Sequence, residues 1–174
     1  MKKRLDSLEI ALGNEQAERA FYLQHAKKTS NVFGKRMFEK IAAEEKQHYE
    51  RLRQLQEKWR GGERWPEDVP LSVSGTEVKS FIRSIAREAS TLPAGNENDL
   101  AAVRTALDFE ARGEKFYAVL RDQSADPREK AFFDLLSGIE REHYLSLKDM
   151  EEFLTDPAAW YKKKERSGWL DGGA

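Results

Sequence analysis

The sequence predicts an all-α protein, a four-helix bundle built from two repeated helical hairpins joined by a long crossover that carries one short helix. Three observations predict it. Apolar residues recur at spacings of three and four along four long stretches, the period of an inward-facing helical stripe. The chain repeats itself at an offset of 95 residues, so that "NEQAERAFYLQHAKKTS" falls on "FEARGEKFYAVLRDQSA" and "FEKIAAEEKQHYERL" on "FDLLSGIEREHYLSL". Within each repeat the pattern is interrupted only briefly, at "TSNVFG" and "QSADPRE", where Ser, Asn, Asp, Gly and Pro favour a turn.

Taken in chain order, the pattern places helices at about 4–29 and 34–58 in the first hairpin, and at about 98–123 and 128–154 in the second. Connections this short make consecutive helices antiparallel. Between the hairpins, about 59–97, lies "RGGERWPEDVPLSVSG", rich in Gly and Pro, then the amphipathic "TEVKSFIRSIAREAS", then "TLPAGNEND". This is the crossover with its short helix. The tail 155–174 adds a short helix at about 157–165, with Trp160 and Trp169 as residues that dock on the bundle. A single domain spanning residues 1–174 is expected, since the length suffices for one sizeable core.

Composition narrows the function classes. Of the 174 residues 35 % are charged and 39 % hydrophobic, a balance suited to long amphipathic helices laced with ion pairs. The net charge is −1 with both signs interspersed, so nucleic acid and anionic membrane surfaces find no electrostatic footprint. No apolar run approaches the length of a membrane span, and the basic start "MKKRLDSLEI" lacks the apolar core of a signal peptide. Without cysteine there are no disulfides, thiolate zinc sites, iron–sulfur clusters or cysteine nucleophiles. A cytoplasmic location is the expectation.

The seams of the four helices carry residues that packing does not ask for. Phe38, Ile41, Glu45, His48, Leu52 and Leu55 share one stripe, and Phe133, Leu136, Glu140, His143, Leu147 and Met150 share its repeat. The other two stripes read Leu8, Ala11, Glu15, Glu18, Tyr22, His25 and Val103, Ala106, Glu110, Gly113, Tyr117, Leu120. Four polar clusters thus fall at equivalent points and meet at one height. Each ionised carboxylate taken out of water costs several kcal/mol, and like charges in one small volume add to that. Two cations remove the problem. Six side chains, Glu15, Glu45, His48, Glu110, Glu140 and His143, suffice to hold them, and carboxylate with imidazole and no thiolate favours iron or manganese. Two Glu-x-x-His matches alone are a weak signal in a glutamate-rich chain, where the plain reading is a solvated pair. The common offset, the Glu-x6-Tyr pattern ahead of each match and the seam placement make it specific.

These residues resemble the rubrerythrin-like branch of the ferritin-like superfamily, over about 8–55 and 103–150, through "NEQAERAFY" with "EEKQH" and "FEARGEKFY" with "IEREH". The resemblance implies a ferritin-like bundle with a di-iron centre, manganese or a mixed manganese–iron pair being the variants. It implies Glu15 and Glu110 as terminal ligands, Glu45 and Glu140 as bridges, and His48 and His143 as one ligand to each ion. Tyr22 and Tyr117 would hydrogen-bond ligands across the bundle; simple core packing is the alternative for them. Two departures stand out. Rubrerythrins usually carry a rubredoxin-like domain with cysteine-bound iron, which this cysteine-free chain lacks, so a separate electron-donor protein is expected. The family's extra glutamate, three residues after the third-helix ligand, is here Gly113, whereas Glu18 stands at the matching place on the first helix. Glu18 is a candidate seventh ligand, arriving where Gly113 leaves room; otherwise it faces solvent or pairs with a base. Glu114 reads as a surface residue, His25 as a hydrogen-bonded core histidine, and Phe21, Phe38, Phe116 and Phe133 as core.

The resulting expectation is a non-haem di-iron oxidoreductase reducing hydrogen peroxide or, more slowly, dioxygen. Ferroxidase activity for iron storage or detoxification is the alternative within the same chemistry, and a metal-stabilised scaffold or binding bundle the alternative outside it. A homodimer is the assembly the resemblance implies.

Overall fold

A computed structural model describes residues 2–60, 76–86 and 92–167. Among these lie six helices: α1 (Lys2–Lys28), α2 (Val32–Trp59), α3 (Val78–Ala86), α4 (Glu97–Gln123), α5 (Pro127–Thr155) and α6 (Pro157–Arg166). Helices α1 and α2 pack along each other as one hairpin and α4 and α5 as the other, with α1 facing α4 and α2 facing α5. The all-α bundle of two hairpins is therefore present. Helix ends differ from the expected ones by no more than two residues, because side-chain caps, not the apolar period, decide where a helix starts.

Those caps are specific. Asn31 accepts from the Gly34 amide at 3.0 Å and so starts α2 two residues earlier than the break at "TSNVFG" suggests. The same Asn31 donates its Nδ2 to the Pro93 carbonyl, tying the first hairpin turn to the segment that enters α4. Asn96 and Asp99 close a reciprocal capping box on α4. Asp126 caps α5 and Asp156 caps α6, each followed by a proline whose fixed backbone suits the first helical position. Lys27 and Lys28 sit in the last turn of α1, where positive charge complements the exposed carbonyls.

The crossover stretch "RGGERWPEDVPLSVSG" lies, apart from Arg60, outside the described residues, as does Trp169. The short crossover helix is α3. Its Val78 and Ile82, one turn apart, are buried against α2 and α5, and Phe81 stacks on Phe33 at 6.4 Å between ring centres. Trp160 docks as expected, buried with its ring edge-on to Phe153 at 5.5 Å.

The core falls into two apolar clusters. One holds Tyr22, Phe38, Ile41, Val103, Ala106, Leu147 and Met150; the other holds Leu8, Ala11, Leu52, Leu55, Tyr117, Phe133 and Leu136. On all four long helices the residues between these clusters are the acidic and histidine ones. The structure thus sandwiches one polar layer between two greasy ones.

Candidate metal centre

Each long helix delivers its polar residues to that layer by the three-and-four spacing of its seam, because a seam that is apolar at both ends cannot rotate outward in the middle. Glu15, Glu45, His48, Glu110, Glu140 and His143 are each at most 1 % exposed. They form two groups: Glu15, Glu45, His48 and Glu140 in one, and Glu45, Glu110, Glu140 and His143 in the other. Within each group the potential ligand atoms lie within 4.8 Å of one another, close enough for a single ion. Glu45 and Glu140 belong to both. The imidazoles face each other nearly parallel, 6.0 Å apart with 21° between planes.

Both histidines turn Nδ1 inward. His48 Nδ1 is 3.0 Å from Glu45 Oε2, 3.2 Å from Glu15 Oε2 and 3.6 Å from Glu140 Oε1. His143 Nδ1 is 3.1 Å from Glu45 Oε1, 3.4 Å from Glu110 Oε2 and 3.9 Å from Glu140 Oε2. The tyrosines act across the hairpins. Tyr22 of α1 donates its hydroxyl to Glu110 Oε1 of α4, and Tyr117 of α4 donates to Glu15 Oε1 of α1. Each outer glutamate thereby has one oxygen fixed and the other left facing the layer.

Within this layer six buried atoms make no hydrogen bond to a described residue: Glu15 Oε2, Glu45 Oε1, Glu110 Oε2, both Glu140 oxygens and His143 Nδ1. An unsatisfied buried acceptor costs about 1–3 kcal/mol, more when charged, so six in one layer demand a common partner. Hard cations fit. Oxygen and imidazole donors without sulfur suit iron or manganese.

The titration behaviour of the protein groups expresses the same crowding. Burial pushes Glu15 up to about 7 against the pull of His48, and pushes Glu140 well above the carboxylate range with help from Glu45 and Glu110. Glu45 is held low: burial works to raise it, but His48 and His143 on either side outweigh that. Burial likewise works to lower the two histidines, yet the surrounding carboxylates raise His48 to about 10 and His143 well above its ordinary value. Both tyrosine hydroxyls are raised, first by burial and then by the adjacent glutamates, so they remain protonated donors.

Glu18 lies beside the layer, not on the solvent face. It is 7 % exposed, and burial, then Glu45, Glu110 and Glu15, raise it to about 10. It stands outside both four-residue groups. A Cβ at Gly113 would come within 3.3 Å of Glu140 Cγ and 3.5 Å of Glu140 Oε2, so the missing side chain gives Glu140 of α5 its room. Glu114 pairs with Arg141 at 3.2 Å near the surface. His25 stands apart from the layer and is half-buried, not core, with its ring 4.3 Å from that of Phe21. Phe38 and Phe133 are core, while Phe21 and Phe116 flank it.

One buried residue at the centre escapes the sequence argument. Glu44 is 8 % exposed and its Oε2 lies 2.7 Å from His143 Nε2. Burial works to raise it, but His143, the Glu77 amide and Thr76 keep it below the ordinary value. The available signal was a break in the repeat, since the residue 95 positions on is Ile139.

No curated protein and no solved structure matches the chain. The Rubrerythrin family model matches residues 6–151, which takes in all but the outer ends of the two hairpins and every residue of the polar layer. The chain belongs to the rubrerythrin family.

Proposed function

We propose that this chain is a di-iron oxidoreductase that reduces hydrogen peroxide to water, with electrons delivered by a separate donor protein. The observation that carries the reading is the pair of buried histidine–carboxylate groups sharing Glu45 and Glu140. Glu15, Glu45, His48 and Glu140 would hold one ion, and Glu45, Glu110, Glu140 and His143 the other. Two iron ions bound there supply one electron each, matching the two-electron cleavage of an O–O bond. The products are two waters, which also require two protons.

The protein's own groups perform the rest. Tyr117 and Tyr22 hold Glu15 and Glu110 from opposite hairpins, so the terminal carboxylates keep their orientation as the charge between them changes. The two apolar clusters above and below exclude water from the layer. Glu18 is a buried carboxylate beside the layer that neither group uses, and it is the seventh ligand of this proposal. With iron bound, its carboxylate would add a negative charge to the layer as the positive charge between the hairpins rises. Held protonated while outside, it also carries a proton to the layer.

Elemental analysis of the purified chain, then anaerobic loading with Fe(II) and rapid mixing with oxidant, tests this. The expected result is two irons per chain, oxidised faster by peroxide than by dioxygen. Faster oxidation by dioxygen makes the chain a ferroxidase. No stoichiometric metal under either condition overturns the centre. Glu18→Ala is expected to lower peroxide turnover at least tenfold and to leave the iron stoichiometry at two.

A further inference from the structure

Glu44 precedes Glu45 on α2, and its side chain crosses to the other hairpin. Oε2 lies 2.7 Å from His143 Nε2, while Oε1 accepts from the Glu77 backbone amide at 3.0 Å, at the entry to α3. The carboxylate is thus held at both oxygens. It cannot turn into the polar layer without abandoning one of them.

His143 Nδ1 faces Glu45, Glu110 and Glu140, so a metal bound among them takes the Nδ1 lone pair and leaves the proton on Nε2. A carboxylate accepting that Nε2 proton selects the tautomer, fixes the ring and makes the imidazole a stronger donor. The second histidine has no such help from the repeat. Ninety-five residues beyond Glu44 the position is Ile139, buried in an apolar cluster and unable to accept a hydrogen bond.

We infer that Glu44 is a positioning residue that makes the two metal subsites unequal: the ion bound by His143 is held more tightly, and favours its higher oxidation state more, than the ion bound by His48. The inference rests on the two-ion centre proposed above. The six ligands of the two groups repeat at the 95-residue offset, whereas the carboxylate of Glu44 has an uncharged isoleucine at its repeat position. The inequality sets an order of filling and of oxidation. It also links the crossover helix to the metals, because the amide that steadies Glu44 belongs to the residue preceding α3.

The test is titration of the full, metal-stripped chain with Co(II), followed by its absorption bands and by calorimetry. Wild type is expected to bind two ions with affinities at least tenfold apart. In Glu44→Gln the tighter step is expected to weaken roughly 10–100-fold, with the other step little changed. Glu44→Asp, which keeps the charge but falls short of the ring, should show the same selective loss and serves if the amide variant does not fold. On iron-loaded protein, Glu44→Gln raises the lower of the two reduction potentials and leaves the other. Equal affinities in wild type overturn the inference. So does loss of both steps together, which marks a merely structural glutamate, and so does no change at all. A wild type that binds no cobalt removes the centre itself, and the inference with it.

Discussion

Tyr22 and Tyr117 each anchor in one apolar cluster and reach with the hydroxyl to a glutamate on the other hairpin. Replacing either by phenylalanine keeps the ring and its packing and deletes only that donor. Tyr22→Phe is expected to lower peroxide turnover or metal affinity about 10–100-fold, with unchanged helical circular dichroism; steady-state kinetics on metal-replete protein and a metal titration read the two effects. The titration shifts give a second prediction, for protein stripped of metal. Glu15 and Glu18, with ordinary values near 4.5, rise to about 7 and about 10, and His48 rises from 6.5 to about 10. In each case the folded state binds more protons than the unfolded one between the two values, so stability falls as pH rises through that window. Glu45 is shifted the other way, and its contribution is lost below its ordinary value. Thermal melts of the metal-free chain are therefore expected to fall steadily from pH 5.5 to pH 9. Glu18→Gln flattens that slope, because an amide has no proton to lose.

At the scale of elements, the joints between helices matter more than the helices. The segment entering α4 passes so close to the end of α5 that a Cβ on Gly95 would lie 2.9 Å from Leu154 Cβ, where the Gly95 amide also donates to the Leu154 carbonyl at 2.8 Å. Gly95→Ala is expected to cost about 1–3 kcal/mol, measured by urea unfolding, because Leu154 is fully buried and cannot give way. The sequence shows this glycine only as part of a loop-like stretch; its close approach to a residue 59 positions away depends on how the second hairpin closes. The four long helices, by contrast, were legible almost to their ends. Their seams are periodic over about seven turns, and the caps of α2, α4 and α5, Asn31, Asn96 and Asp126, are residue types that favour such positions.

For the whole molecule, the polar layer is a weakness that a ligand converts into strength. Buried acceptors with no donor destabilise the folded chain, and any ion that binds only the folded chain stabilises it by mass action. Saturating Fe(II) or Mn(II), at about a thousand times its dissociation constant, is expected to add about 4 kcal/mol to unfolding for each ion bound, and a strong chelator to remove it; anaerobic denaturant titrations with and without metal check this. Glu45→Leu with Glu140→Leu should abolish that gain. It should leave a bundle at least as stable as the metal-free parent, since well-packed apolar groups replace uncompensated carboxylates.

The sequence by itself determined the two hairpins, the repeat and the six residues of the layer, because period and offset are properties of order along the chain. A seam bracketed by leucine, phenylalanine and isoleucine leaves its Glu and His no place but inward. Only the tertiary structure decided which oxygen meets which nitrogen. That Tyr22 reaches Glu110 and not a nearer acid, that Gly113 makes way for Glu140, and that Glu44 leaves its own helix to hold His143 all depend on contacts between hairpins. A one-dimensional pattern carries the face of a helix but not the rotation and height at which two faces meet.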